Sequence, residues 1–326
     1  MGGTRFIGVY LARTLIAQGH DVHILTRGKK PVTFQIPGES TLEYDRFATS
    51  VKHIACDRKD YRALKGKLQS YQFDVVYDMN AREAEEVQGV LDAVGPNLLK
   101  QYVFCSSAGV YLKSDMMPHL EEDAVDPASR HKGKLNCEDL LKRAGVPFTS
   151  IRPVYIYGPL NYNPVEEYFF HRIAAGRPVC IPGSGMQITQ LGHVADLADA
   201  FAGVLLNPAA KNEIFNIAGD RYVTWDGLAK ACAQAAGKPE PRIVHYDPKQ
   251  FKGKFPEGAK AFPFRDQHFY AGVHKARAAL GWQPRFDLVE GLRDSWQKDY
   301  AKGRFIKDPD FTCDDIVLRE LGVRRE

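Results

Sequence analysis

The sequence predicts an α/β fold built on a doubly wound parallel sheet, with a smaller α/β lobe towards the C-terminus. Short β-type runs alternate with amphipathic helical stretches through the first half of the chain, which is typical of a parallel sheet with helices on both faces. A glycine-rich turn at residues 2–8 leads directly into a helical repeat. Beyond Pro153 the alternation breaks, and proline, glycine and aromatic residues become frequent, which indicates the second lobe.

Each element follows from its local pattern. Apolar residues recur at helical spacing from residue 6 and stop at Gly19, as expected for a helix that ends at a glycine. β-type runs predict strands at residues 20–26, 53–56, 73–78, 101–106, 148–152 and 213–218. An acidic helix is predicted after the third of these runs, up to residue 94, and further helices at 132–144, 193–206 and 224–236. Residues 274–280 and 288–302 close the lobe. Residues 29–50 are interpreted as a polar excursion, and residues 161–188 as an active-site lobe. Residues 238–270 are interpreted as an irregular basic segment.

The predicted domain division follows from these elements. Residues 1–154 form the first domain, which also receives 190–218, and residues 155–326 form the smaller lobe with a C-terminal tail from 305. We expect this tail to pack late in folding or to mediate contacts. In doubly wound sheets a central strand precedes the glycine-rich loop. We therefore expect a first strand, and any targeting peptide, upstream of Met1.

Composition excludes some classes and favours others. The chain has 326 residues, of which 44% are hydrophobic and 26% charged. No apolar run approaches the roughly 18 residues that a transmembrane helix needs, so none is predicted. Six scattered cysteines without a CxxC pair indicate reduced, buried thiols. The net charge of +4 is too mild to indicate a nucleic-acid partner, but Lys and Arg cluster at 27–30, 58–67, 130–134 and 249–265.

A set of motifs runs through nearly the whole chain in a fixed order. They are residues 2–8, Cys56-Asp57, 106–111, 152–159, 182–185, 193–196 and 280–284. In this order and at these spacings the chain resembles the extended short-chain dehydrogenase/reductase superfamily, in its NAD-dependent epimerase/dehydratase branch. The resemblance implies a Rossmann-like fold and a dinucleotide cofactor.

The chain departs from that family at its acid–base residue. The family carries Tyr-x-x-x-Lys on a helix, where both side chains share one face. Here Lys134 is present, but Arg130 stands four residues before it, and a guanidinium does not release a proton near neutral pH. Ser107 aligns with the catalytic serine of the family, although a strand-end hydroxyl bound to backbone is the simpler interpretation. Tyr111, Tyr155 and Tyr157 are alternatives for a displaced acid.

The resemblance places a vestigial NAD(P) site at Gly2, Arg5, Gly8, Arg27 and Asp57. In the family Gly2 and Gly8 frame the phosphate loop, whose middle glycine is here Arg5. After the second strand Arg27 suits a ribose 2′-phosphate, and hence NADP, but the same basic turn suits an RNA backbone or a solvated surface. The family's adenine-binding acid corresponds to Asp57.

A narrower resemblance involves residues 2–8, 129–134 and 308–318. These segments resemble the chloroplast stem-loop-binding proteins, and among them the b type. That resemblance implies binding of stem-loop RNA and rRNA, and endoribonuclease activity as in a-type relatives. It also implies association with ribosomal particles, a part in rRNA maturation and hetero-oligomers with an a-type paralogue. The implied location is the chloroplast stroma. The alternatives are an NADP-dependent epimerase or reductase, and an assembly factor that binds RNA without chemistry.

Cations interleaved with flat side chains are the residues that unpaired RNA requires. The predicted RNA-binding residues are Arg130, Lys132, Lys249, Phe251, Lys252, Lys254 and Phe255. For the phenylalanines, anchoring of a basic loop to the core is an equal alternative.

RNA cleavage needs a base or a metal-bound water. Asp78 and Asn80 have the same parity at a strand end and are the candidate Mg²⁺ ligands. His131 is a candidate general base, and Lys134 completes the candidate catalytic set.

Overall fold

The computed structural model describes residues 1–29, 31–32, 35–304 and 308–325, which form two units. The first unit consists of Met1–Val154, Val194–Ala218 and Ala271–Arg285, and the second of Tyr155–His193, Gly219–Tyr270 and Phe286–Glu326. In the described part of the chain, no helix has the length and apolar character needed to cross a membrane. All six cysteines are buried free thiols.

The first unit is a parallel α/β structure, which confirms the predicted fold class. Its strands are β1 (His23–Thr26), β2 (Lys52–Ala55), β3 (Val75–Asp78), β4 (Gln101–Cys105), β5 (Phe148–Pro153) and β9 (Glu213–Ile217). They form a β1-β2 ladder and a β3-β4-β5-β9 sheet, with every pairing parallel. The helices are α1 (Ile7–Ala17), α2 (Thr41–Ser50), α3 (Tyr61–Leu68), α4 (Ala84–Val94), α5 (Lys132–Arg143), α7 (Val194–Gly203) and α9 (His274–Leu280).

Helices cover both faces of the sheet in this unit. One face packs on α3, α4 and α5 through a core that includes Leu64, Val90, Tyr102 and Leu141. On the other face Ile24 packs against α1, and the hydroxyl of Tyr77 donates to the carbonyl oxygen of Phe201 in α7. This is the doubly wound arrangement.

Backbone pairing at Met1 continues the sheet. The Met1 nitrogen donates to Tyr77 O at 2.8 Å, and Met79 N donates to Met1 O at 3.2 Å. Met1 therefore pairs with the backbone on both sides of Asp78, as a residue of a parallel strand does. A cavity of about 360 Å³, lined by residues of α1, β1 and β3, lies beside Met1.

The second unit holds the remaining elements. Its strands are β6 (Tyr155–Tyr157), β7 (Val179–Pro182), β8 (Ile188–His193), β10 (Tyr222–Thr224) and β11 (Ile243–Tyr246). A three-stranded sheet has the order β10-β8-β6, in which β8 pairs antiparallel with β10 and parallel with β6, and β7 and β11 form a separate parallel pair. The helices are α6 (Glu167–Ala174), α8 (Trp225–Ala236), α10 (Leu288–Lys298) and α11 (Thr312–Glu320).

The structure differs from the sequence prediction in several elements. Residues 29–50, interpreted as a polar excursion, contain the helix α2. The helix α3, which was not predicted, follows β2. Residues 161–188, interpreted as an active-site lobe, contain the helix α6 and the strand β7. The irregular basic segment contains β11, and the tail contains α11, whereas residues 305–307 and 326 of that tail lie outside the described residues.

The observed unit boundaries also differ from the predicted ones. Residues 190–193 belong to the second unit, and Ala271–Arg285 belongs to the first. The second difference has a clear cause, because Gly272 N donates to His119 O and the Lys275 ammonium lies 2.7 Å from Glu213 at the start of β9.

A buried ion pair anchors the end of β3. Arg58 donates from Nη1 to Asp78 Oδ1 at 2.7 Å and from Nη2 to Oδ2 at 2.6 Å. The Tyr102 hydroxyl donates to the same Oδ2 at 2.6 Å, and Arg58 also donates to Asn80 Oδ1 at 2.9 Å. Burial opposes ionisation of Asp78, but the hydrogen bonds and charge of Arg58 outweigh it and hold the pKa of Asp78 well below its usual range.

The ion pair with Arg58 argues against the predicted catalytic Mg²⁺ site at Asp78 and Asn80. Asp78 is 0% exposed, and both of its carboxylate oxygens already accept hydrogen bonds from Arg58 or Tyr102. A guanidinium within hydrogen-bond distance occupies the place that a cation would need. Among the described residues, no group of three or more His, Cys, Asp or Glu side chains is placed to hold a metal ion.

The second unit contains a buried carboxyl, Glu166, whose pKa is shifted in the opposite direction from that of Asp78. Glu166 is 1% exposed, and its Oε1 accepts from Gly158 N at 3.3 Å and from Ser295 Oγ at 3.0 Å. Its Oε2 has no hydrogen-bond partner among the described residues and lies in the wall of a cavity of about 20 Å³. Burial raises the pKa of Glu166 to about 7.

Replacement of Asp78 by Asn is expected to lower the free energy of unfolding by about 3–5 kcal/mol, because it leaves the Arg58 guanidinium buried without its counter-charge. Urea unfolding measures this loss. Asp74→Asn is the control, since Asp74 forms an exposed ion pair with Lys100 at 2.7 Å that contributes about 1 kcal/mol or less. Equal, small losses in the two variants would contradict a structural role for Asp78.

Glu166→Gln is expected to raise the thermal unfolding midpoint more at pH 8 than at pH 5. Folded Glu166 keeps its proton to about pH 7, whereas the unfolded chain releases it near 4.5, so stability falls as pH rises across this interval. The substitution removes that loss. Calorimetry at both pH values checks it, with the exposed Glu257→Gln as control. A pH-independent difference from wild type would refute the raised pKa.

Candidate nucleic-acid interface and nucleotide loop

The glycine-rich turn forms a tight loop before α1. A Cβ added at Gly8 would meet the carbonyl oxygen of Gly2 at 2.3 Å, so only glycine fits there. The side chain of Arg5, at the position of the missing middle glycine, is exposed. No acidic residue lies in the first turn of α1, and the backbone N–H groups at such a helix start favour an anion.

Two further predicted cofactor residues lie at the carboxyl ends of the adjacent strands. Arg27 follows β1 and Asp57 follows β2, and both side chains are exposed. Asp57 Oδ1 accepts from Lys59 N at 3.0 Å. Of the predicted basic turn, Lys30 lies outside the described residues. A glycine cradle, an acid and a cation at one sheet edge fit the phosphates, adenosine and 2′-phosphate of NAD(P), which supplies hydride transfer when bound.

The former redox centre has a different arrangement of side chains. Ser107 Oγ accepts from Gly109 N at 3.0 Å, as the simpler interpretation of this serine expects. Lys134 Nζ donates to Cys105 O at 2.5 Å and lies 4.9 Å from the ring centroid of Phe104. Arg130 is exposed. The serine hydroxyl is therefore bound to backbone, and a guanidinium stands where the family carries a phenol.

A displaced tyrosine does not restore the chemistry in this unit. The Tyr111 hydroxyl donates to Asn216 Oδ1 at 2.7 Å, and its ring stacks on His119 with centroids 4.8 Å apart. Burial raises the pKa of Tyr111 to about 12, so it is a poor proton donor and acceptor near neutral pH. Tyr155 and Tyr157 lie in β6 of the second unit.

The start of α5 presents cations in a fixed position. Arg130 and Lys132 are exposed, and Arg130 Nε donates to His131 Nε2 at 3.2 Å. A Cβ at Gly133 would lie 1.7 Å from Arg82 O, so this glycine lets the first turn of α5 approach the loop after β3. Since the first turn contains no acid, its cations oppose the helix dipole, and stability does not explain them.

A second ion pair fixes the middle of α5. Arg152 Nη2 on β5 lies 2.6 Å from Glu138 Oε2, and both side chains are almost fully buried. Ser150 also donates to Glu138, at 2.8 Å. Buried polar contacts therefore hold α5 on the sheet, which fixes the backbone position of Lys132 in its first turn and of Arg130 just before it.

The basic segment of the second unit divides into buried and exposed residues. Phe251 is 2% exposed and packs in a core with Tyr246, Val317 and Leu318, so the prediction that its ring stacks on RNA is wrong. Phe255 is half-buried and stacks on Phe251 with centroids 5.7 Å apart.

The lysines of this segment differ in their contacts. Lys249 and Lys252 are exposed. Lys254 Nζ lies 2.6 Å from Glu320 Oε2 of α11, so its charge is already partnered. Of the three, Lys249 and Lys252 are therefore the better phosphate contacts.

Two residues of functional interest were missed by the sequence reasoning. Arg58 was placed in a basic cluster, although it neutralises Asp78. Trp225 was placed only at the start of a helix, although it lines a cavity beside the basic segment. A sequence pattern contains no signal for either contact, because the partners lie 20 or more positions away.

Comparison with known proteins agrees with this architecture. The family model described as "NAD dependent epimerase/dehydratase family" matches residues 1–218. The chain is 62% identical over 324 residues to the chloroplast stem-loop binding protein of 41 kDa b from Arabidopsis thaliana, covering 99% of this chain and 84% of that protein. It is 24% identical to UDP-glucose 4-epimerase of Corynebacterium glutamicum, covering 93% of this chain and 95% of that enzyme.

Solved structures show the same fold. The UDP-glucose 4-epimerase of Thermotoga maritima with UDP-glucose superposes with a TM-score of 0.72 at 20% identity, covering 93% of this chain and 97% of that one. The UDP-glucuronic acid 4-epimerase of Bacillus cereus in complex with NAD gives 0.70 at 19% identity, covering 91% and 96%. The chain therefore belongs to the NAD dependent epimerase/dehydratase family, in the branch that contains the chloroplast stem-loop binding protein of 41 kDa b.

Proposed function

We propose that this chain is a plastid RNA-binding protein that recognises stem-loops. The observation that carries the proposal is its 62% identity, over 99% of its length, with a protein named for stem-loop binding. The site chemistry supports the same conclusion, because a guanidinium replaces the phenol that epimerases need and presents a positive charge instead.

Exposed cations on fixed elements support RNA contact physically. Arg130 and Lys132 stand at the start of α5 in the first unit, and Lys249 and Lys252 lie beside β11 in the second. Cations that neutralise phosphates release counterions from RNA, so affinity falls as salt rises. The modest net charge of +4 makes such local clusters the source of attraction.

RNA cleavage and cellular context are the finer part of the proposal. Asp78 and Asn80 do not provide Mg²⁺ ligands, so a divalent-metal-dependent endoribonuclease would need the RNA or other side chains to hold the ion. His131 and Lys134 remain the candidate base and cation. Association with ribosomal particles, rRNA maturation, a stromal location and hetero-oligomers with an a-type paralogue rest on the family resemblance.

The second candidate is NADP-dependent chemistry, favoured by the retained Gly2 and Gly8 of the glycine-rich loop and by Arg27 directly after β1. The third is an assembly factor that binds RNA without cutting it. Incubation of a labelled stem-loop with and without Mg²⁺ distinguishes an RNA-binding endoribonuclease from such an assembly factor, since only an endoribonuclease shortens the RNA.

The double variant Arg130→Gln, Lys132→Gln is expected to weaken binding of a fluorescein-labelled stem-loop RNA. Each lost phosphate contact lowers the slope of log affinity against log salt by about 1, so the slope should fall by about 2. Fluorescence anisotropy at several salt concentrations measures it. Lys142→Gln, at the other end of α5, is the matched control. If the control and double variants have equal slopes, the start of α5 does not contact RNA.

NADP⁺ is expected to bind more tightly than NAD⁺, because Arg27 can pair with the 2′-phosphate. Arg27→Ala should remove this preference and leave the affinity for NAD⁺ unchanged. Isothermal titration calorimetry with both dinucleotides tests it, with Arg62→Ala on α3 as the control. Equal affinities of the wild type for the two dinucleotides would contradict the role assigned to Arg27.

A further inference from the structure

The second unit contains a cavity of about 460 Å³ beside the basic segment. This volume lies in the range of small-molecule pockets, roughly 300–1,000 Å³. Its walls combine aromatic rings from three separate parts of the chain with lysines. The main lining residues are Trp225, Tyr246, Lys249, Lys252, Phe255 and Phe264.

One group of rings is organised around Trp225, at the start of α8. Phe262 lies 4.7 Å from Trp225 between ring centroids, and Phe264 lies 6.5 Å away in a stacked orientation. Trp225 is 1% exposed, whereas Phe262 and Phe264 are half-buried. The buried indole therefore holds two partly accessible rings in place at the cavity.

The other group is organised around Phe251. Its buried ring meets Tyr246 edge-on at 5.3 Å and stacks on Phe255 at 5.7 Å. Asp247 Oδ1 accepts from Lys249 N at 3.0 Å, and Pro248 occupies the first turn that follows. The loop between Asp247 and Phe255 is thus anchored to the core through Phe251, which fixes the backbone positions of Lys249 and Lys252.

Charge at the cavity favours an anion. Lys249 and Lys252 line it and are exposed, whereas Asp266 is an exposed acid in the same wall. The Lys254 ammonium is directed to Glu320 instead. Aromatic rings beside two exposed ammonium groups are the combination that binds a base together with its phosphates.

We propose that this cavity receives one unpaired nucleotide of an RNA loop, with its base against the rings of Phe255, Phe262 and Phe264 and its phosphates on Lys249 and Lys252. This inference rests on the proposed RNA-binding function and names the part of the RNA that the second unit recognises. A paired base cannot enter, because its faces are covered by its neighbours in the stack. Unpaired loop bases are unstacked and reach such pockets.

Anisotropy titrations of a fluorescein-labelled hairpin with a uridine loop, and of the same hairpin with an abasic site at each loop position in turn, test the inference. Phe255→Leu keeps apolar volume and removes the ring, and Phe311→Leu outside the cavity is its control. Lys249→Gln with Lys252→Gln removes exposed charge without core changes, and the exposed Lys238→Gln is its control. Thermal unfolding shows that each variant is folded.

We expect Phe255→Leu to weaken hairpin binding about tenfold, since stacking of one base contributes on this scale. One abasic position should weaken the wild type similarly, and Phe255→Leu should add no further loss on that hairpin, because the base and the ring act as a pair. The double lysine variant should lower the salt slope by about 2.

Three results would overturn the inference. If the wild type binds the hairpin and the cavity variants bind it equally well, the cavity is not the contact, although the proposed function stands. If UMP alone displaces the hairpin while no abasic position matters, the cavity is a mononucleotide site. If the wild type does not bind the hairpin, the proposed function fails together with the inference.

Discussion

The first unit depends on the buried pair between Arg58 and Asp78. Arg58 follows β2 and Asp78 ends β3, while Tyr102 in β4 and the carbonyl oxygen of Glu86 in α4 complete the same network. The ends of two strands, β4 and α4 therefore meet at one ion pair whose carboxylate is 0% exposed. Breaking such a pair leaves a buried charge, which is why its geometry is tightly constrained. Asn80, bound by Arg58, lies next to the phosphate loop, since a Cβ added at Gly2 would meet its side chain at 3.3 Å.

This network explains why the scaffold persists although its acid–base residue is gone. The phosphate loop and the strand ends are positioned by core contacts that do not involve residue 130. Arg130 stands at an exposed helix start, where a tyrosine and a guanidinium are tolerated equally by the core. Lys134 retains a structural contact with Cys105 O, so its ammonium stays in place without a phenol to assist. Replacement of the family's tyrosine by Arg130 at an exposed position therefore costs the fold little.

The sequence could predict the strands of the first unit because buried parallel strands are short continuous apolar runs. It could also have predicted α2, since Ser40 and Glu43 form a capping box, but the low apolar content of this helix concealed its period. Asp78 shows the limit of sequence reasoning. A carboxylate at a strand end is equally compatible with a metal ligand and with half of an ion pair, and the deciding partner lies 20 residues away in Arg58.

The basic segment of the second unit shows the same limit for binding sites. Alternating Lys and Phe fits both an RNA surface and an anchored loop, and the structure shows that one of the rings is an anchor. Phe251 is buried, and Lys249 and Lys252 are exposed. The buried ring thus anchors the loop that carries the exposed lysines, and an anchored loop loses less backbone entropy on binding an anion than a free one does. With a net charge of only +4 and a screening length near 8 Å, attraction to RNA must come from such ordered local clusters.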